Sequence, residues 1–150
     1  FIVADEPISM LDVSIRAGIL GLMHRLKERL HMSYLFITHD LAVARHICHR
    51  LAIMYLGRIV EVGPTERLVA SPSHPYTAAL MAAVPVPDPT AERISVAIAG
   101  EVPTLASPPQ GCRFHPRCPR ALEVCRTRDP RPTEISKGHV AACHLAAPET

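Results

Sequence analysis

Two adjacent carboxylates, Asp5 and Glu6, close a short apolar run, Phe1-Ile2-Val3-Ala4. At such a place one carboxylate can hold Mg²⁺ through oxygen, usually with water retained. The next can orient or deprotonate an attacking water. His39-Asp40 closes a second apolar run, Tyr34-Leu35-Phe36-Ile37-Thr38, and supplies an imidazole able to sense a terminal phosphate by hydrogen bonding. Taken singly, Asp-Glu also serves as a solvated turn or helix cap, and Thr-His-Asp as a local capping arrangement. Their combination and order carry the chemical reading. A second donor set comes late: Cys112, Cys118, Cys125 and Cys143. Four thiolates suit zinc or an iron–sulfur cluster, and unligated buried thiols are the alternative. Spacing alone does not choose between them, though it is looser than the paired C-x-x-C of zinc ribbons and so tilts away from zinc. His115, His139 and His144 are nearby substitute donors.

The elements that must position these groups follow from periodicity. Phe1 to Ala4 reads as a strand buried on both faces, as in a parallel sheet. Ile15, Ile19, Leu22, Leu26 and Leu30 recur at spacings of three and four along one helix face, and Asp12 or Ser14 could cap its start. Tyr34 to Thr38 is a second strand, followed by a helix over Leu41 to Cys48. Strand, long crossover and strand make a parallel α/β unit, in which ligands bind at the carboxyl ends of the strands. Leu51 to Tyr55 and Arg58 to Val62 flank Leu56-Gly57 as a hairpin. Thr65 to Ala70 and Pro75 to Val84 are short helices that start at or just after a proline. Cys48 and the methionines Met10, Met23, Met32, Met54 and Met81 read as core residues. His24, His31, His46 and His49 read as ordinary surface or packing residues.

A chain of 150 residues with 48% hydrophobic residues has enough for a core. A net charge of +2 gives no strong field toward nucleic acid or an anionic membrane, and 4% aromatics with no Trp argue against a base-stacking platform. No apolar run has the length of a membrane span. Of 15 prolines, 13 lie from Pro72 onward, so the second half reads as a short helix and then an irregular tail needing some other constraint. Pro85 to Pro89 and Pro103 to Pro109 read as extended, exposed connectors. A metal clip would supply the constraint that so little buried surface cannot.

Phe1 to Pro7 resembles the Walker B strand of ATP-binding-cassette (ABC) ATPases, and Ser9-Met10-Leu11-Asp12 resembles the D-loop that follows it. Tyr34 to Asp40 is similar to the strand and switch histidine of the same family, and Arg58 to Gly63 to the hairpin strand beyond it. Met10 stands where a small residue is more usual. The resemblance implies that Asp5 serves Mg²⁺, Glu6 is the catalytic base, His39 contacts the γ-phosphate and Asp12 in the D-loop communicates across a nucleotide-sandwich dimer. His74-Pro75-Tyr76-Thr77 resembles the linker helix of oligopeptide/dipeptide importer ATPases, with Tyr76 as an anchor packing that helix. Gly111 to Pro119 and Gly138 to His144 resemble the cysteine blocks of that subfamily, which imply a [4Fe–4S] cluster on Cys112, Cys118, Cys125 and Cys143. Disulfides would be unexpected in the reducing cytosol of such an ATPase.

A P-loop needs G-x-x-x-x-G-K-[ST], and neither Lys27 nor Lys137 closes one. The Q-loop and signature helix are likewise not found, so the chain reads as the C-terminal fragment of a longer ATPase, unable to bind ATP tightly alone. The fold expected is the C-terminal part of a P-loop NTPase α/β parallel sheet over 1–72, with a Pro-rich, cysteine-containing irregular extension over 73–150. An exposed sheet edge and half a core predict poor solubility. The function implied is ATP-driven uptake of oligopeptides or dipeptides, on the cytoplasmic face of the membrane. The implied partners are permease subunits, a second ATPase subunit and, indirectly, a peptide-binding protein. Another cargo such as nickel or a sugar, or a metal-binding structural module, is the alternative.

Overall fold

The computed structural model describes residues 1–84, 98 and 100–148, in two units, Phe1–Cys48 and His49–Thr150. The expected division at 72/73 rests on proline content and family resemblance; packing is a separate criterion and groups the hairpin and the helix after it with the tail.

In the first unit β1 (Ile2–Asp5) pairs in parallel with β2 (Tyr34–Ile37), in register from Ile2↔Tyr34 to Asp5↔Ile37. The 18-residue helix α1 (Val13–Leu30) makes the crossover. Asp12 sits at its N-cap, yet its side chain makes no capping bond. Left-handed His31 ends it, returning its N–H to Lys27 O, and Lys27 and Arg29 in the last turn suit the negative end of the helix dipole. Helix α2 (Leu41–Ile47) is capped by Asp40, whose Oδ1 accepts Val43 N–H at 3.1 Å.

The strands expected to be buried on both faces are not. Val3 is 57% exposed and Leu35 50%, and no residue of α1 is buried. A parallel sheet is enclosed only when helices cover both faces, and two strands are too narrow a floor to bury the α1 stripe. Only Ile8 and Ala44 are buried apolar residues in this unit. The wider parallel core expected from the sequence is not found among the described residues.

The second unit is built on an antiparallel sheet in the order β3-β4-β6-β5. Strands β3 (Arg50–Tyr55) and β4 (Arg58–Pro64) form the expected hairpin. Leu56 and Gly57 both have positive φ, 44° and 73°, as a two-residue primed turn demands. Alternation in β3 places Leu51, Ile53 and Tyr55 inward. Helix α3 (Thr65–Ala70) seats Leu68 with no exposure, and α4 (Pro75–Ala83) carries Pro at its start. Gly63 allows a close approach here: a Cβ on it would lie 2.6 Å from Leu68 Cδ1 and 3.0 Å from His139 Cδ2.

The tail departs from the irregular segment expected. It contains a 3-10 turn (His115–Arg117), a short α5 (Val124–Thr127) and a hairpin of β5 (Thr133–Ser136) and β6 (His139–Ala141). β6 pairs with β4, Glu61↔Ala141, and so extends the first-half hairpin into a four-stranded sheet. Strands this short carry too little alternation to be read without their partner. The Pro103 to Pro109 stretch is largely exposed, as expected, with a turn closed by Ser107 N–H on Thr104 O. Pro85 to Pro89 lies outside the described residues. Met10 and Met54 are not core fillers, being 96% and 58% exposed. No helix among the described residues is long and apolar enough to cross a membrane.

Candidate functional site

At the carboxyl ends of β1 and β2 the chain brings two of its candidate residues together. Glu6 N–H donates to Ile37 O at 2.9 Å, carrying the strand pairing one residue past β1. Glu6 then turns with φ 46°, a left-handed conformation uncommon outside glycine. This swings its carboxylate onto His39, with Oε1 2.7 Å from Nδ1. Both side chains remain open to solvent, the imidazole 78% and the carboxylate 37%. The Asp5 side chain is exposed, with no hydrogen bond or ion pair to it among the described residues. Asp12 lies at the start of α1, and its backbone O accepts Arg16 N–H.

Two supports were not read from the sequence. Ser9 Oγ donates to Glu6 O at 3.0 Å and holds the loop after the strand. Arg16 donates through Nε to Leu11 O at 2.7 Å and faces Asp40 at 3.7 Å. Asp40 N–H in turn donates to Thr38 Oγ1. Thr38 and Asp40 thus act locally, as capping residues, while His39 between them turns to Glu6. Nothing in the spacing of Arg16 distinguishes it from a surface cation on α1.

The four late cysteines are free thiols, all in the second unit. Burial pushes the Cys112 thiol up to about 11, with the other three cysteines adding to the shift. Burial also raises Cys118 and Cys143. Each sulfur accepts a backbone N–H. Phe114 donates to Cys112, Arg120 to Cys118 and Leu145 to Cys143, each from two residues on. Leu122 donates to Cys125. The sulfurs sit close enough to influence one another's ionisation. Even so, no three His, Cys, Asp or Glu side chains among the described residues gather around one ion position. The substitute histidines are engaged elsewhere: His115 Nδ1 on Cys112 O, His144 Nε2 on Arg128 O, and His139 Nε2 on Glu61.

Phe114, which follows the first of these cysteines by two, is 1% exposed and stacks against Tyr55, His74 and Tyr76 at 5.2, 5.7 and 5.3 Å between ring centroids. Tyr76 also meets Tyr55, at 4.8 Å, so the residue expected to anchor α4 packs against both β3 and the cysteine loop. His74 Nδ1 accepts Tyr76 N–H and caps α4. Burial outweighs the nearby Glu61 and lowers His74 to about 4.

Residues 60–125 match the family model described as "Oligopeptide/dipeptide transporter, C-terminal region". That span begins in β4, contains His74-Pro75-Tyr76-Thr77 and ends at Cys125. The likeness extends well beyond it. A Sinorhizobium fredii protein named "Probable peptide ABC transporter ATP-binding protein y4tS" is 52% identical over 98% of this chain and 42% of its own length. Over nearly its whole length the chain is similar to ATP-binding proteins of peptide ABC transporters. The dipeptide transport ATP-binding protein of Haemophilus influenzae and the oligopeptide transport ATP-binding protein of Bacillus subtilis are each 46% identical to it. They are covered over 43% and 44% of their lengths, so the chain spans less than half of each of these relatives.

Proposed function

We propose that the intact protein hydrolyses ATP to drive peptide uptake through an ABC importer, and that Glu6 and His39 work at its reacting phosphate. The observation that carries this reading is the 2.7 Å contact between them at the ends of two parallel strands, where open α/β sheets bind ligands. Glu6 takes the proton of the attacking water, and His39 orients that carboxylate while donating toward the γ-phosphate. Asp5, an exposed oxygen donor without a partner, fits Mg²⁺, which supplies charge neutralisation at the phosphates when bound. Asp12 lies in the loop that faces a second ATPase subunit. The phosphate cradle comes from sequence outside these 150 residues, as the lack of a P-loop lysine requires. Permease subunits receive the motion, on the cytoplasmic face of the membrane, and a peptide-binding protein delivers the cargo.

Cys112, Cys118, Cys125 and Cys143 are the residues that would hold a [4Fe–4S] cluster, which supplies one-electron chemistry or a structural clip when bound. Backbone N–H donors at all four sulfurs support this, because a neutral thiol is a weak acceptor whereas a metal-bound thiolate gains from such bonds. Tetrahedral zinc on the same four sulfurs is the alternative.

In the intact protein Glu6→Gln should lower ATP turnover by about 10²-fold or more while ATP binding persists; unchanged turnover removes Glu6 as the base. Anaerobic purification with visible absorption and iron and sulfide analysis tests the cysteines. A colourless protein with one zinc per chain would overturn the cluster.

A further inference from the structure

Glu61 belongs to neither centre, yet it is a fully enclosed carboxylate among the described residues of the second unit. It lies on β4 with 1% exposure, and its carboxylate faces only hydrogen-bond donors among its recorded partners. Oε1 accepts Ser73 N–H at 2.8 Å and meets His139 Nε2 at 2.7 Å, and Oε2 accepts His74 N–H at 3.0 Å. With two backbone donors fixed, the imidazole also serves as a donor, so His139 carries its proton on Nε2. Its buried Nδ1 has no partner, which favours the bare nitrogen over a second, orphaned N–H. Three chain segments therefore converge on one carboxylate: the first-half hairpin, the segment capping α4, and β6 of the tail.

Sequence separation gives this convergence its meaning. Glu61 and His139 are 78 residues apart, and Cys143 follows four residues after His139. The β4–β6 ladder beside them is short, pairing Glu61↔Ala141 and Val62↔Val140. So short a ladder gives little registry by itself, whereas a buried charge surrounded by donors is costly to leave unmet. We propose that Glu61 is a buried latch that fixes the cysteine-bearing tail in register on the hairpin and against the start of α4. It is a positioning residue, acting through β6. It preorganises the four sulfurs by protein contacts alone, so the latch goes beyond the proposed function and holds whether or not a metal is bound.

The donor ring predicts an unusual mutational pattern. Glutamine at 61 keeps the volume but turns an N–H against a donor whichever way its amide lies. Glutamine at 139 keeps a donor near the Nε2 position, whereas leucine removes it. Amide hydrogen exchange on the intact protein, followed by mass spectrometry, reads the result. Exchange in peptides covering 112–126 and 139–146 should rise at least about tenfold in Glu61→Gln and in His139→Leu, and stay within about threefold of wild type in His139→Gln. Peptides from α1 serve as the control and should not change. Wild-type exchange in Glu61→Gln, an equal rise in His139→Gln and His139→Leu, or a rise shared by α1 would each overturn the latch. Visible absorption and iron content on the same samples test the cluster separately, since exchange protection does not depend on it.

Discussion

His74 joins two tasks in one imidazole: it caps α4 through Nδ1, and its ring is buried against Phe114. Capping requires an unprotonated Nδ1, and burial disfavours the cation, so both push the same way. The ordinary value of 6.5 falls to about 4 in the folded chain. A base with a depressed value is protonated more readily when unfolded, so its contribution is fully present above pH 6.5 and declines as pH falls toward 4. The loss across that window should be about 3 kcal/mol. His74→Asn keeps a capping oxygen without a titrating ring, and should flatten this part of the stability profile in urea titrations run from pH 4 to 7. An unchanged slope would remove His74 as its source. The exposed Glu6–His39 pair is a different case: solvent screens it, so its value lies in geometry at the strand ends and little in stability.

Among the elements, the cysteine loop depends on one backbone position. Gly111 has φ 65°, and a Cβ there would sit 2.5 Å from the Cys125 carbonyl oxygen. Cys112 N–H donates to that same carbonyl at 2.9 Å, so the clash falls on the bond that joins the first cysteine to the third. Gly111→Ala should cost about 2 kcal/mol or more, read as a lower denaturation midpoint, with the first unit unaffected. The Leu56-Gly57 turn offers a gentler comparison. Leu56 already bears a positive φ of 44°, so Leu56→Gly should relieve strain and stabilise the hairpin by up to about 1 kcal/mol. A lower midpoint for that variant would show that the Leu56 side chain contributes more than its backbone costs.

For the molecule as a whole, the distribution of apolar exposure is uneven. In the first unit Phe1 and Val13 are 81% exposed, Met10 96% and Leu30 60%. Large apolar side chains left this open to solvent are an aggregation risk where they adjoin. The chain spans less than half the length of these relatives. Residues 1–150 expressed alone should therefore self-associate in light scattering and bind a hydrophobic dye, whereas the intact protein should do neither. A monomeric, dye-silent 1–150 would show that the exposed faces need no cover. The second unit encloses its own core around Leu68, Phe114 and Ala141 and should remain cooperative in either context.

Local chemistry was legible in the sequence wherever neighbouring residues decide it. The apolar runs ending in Asp5-Glu6 and His39-Asp40, the Leu56-Gly57 turn, the proline-started helices and the four cysteines were all readable, because strand, turn and cap preferences act over a few residues. Tertiary structure alone decided what distant segments do to one another. It turned Glu6 onto His39, left β1 and α1 uncovered, and folded β6 back onto β4 so that Glu61 meets His139. A buried carboxylate and an exposed one look alike in sequence, since burial depends on which segments return to enclose it. Only the four-stranded antiparallel sheet distinguishes Glu61 from any other acid on a strand.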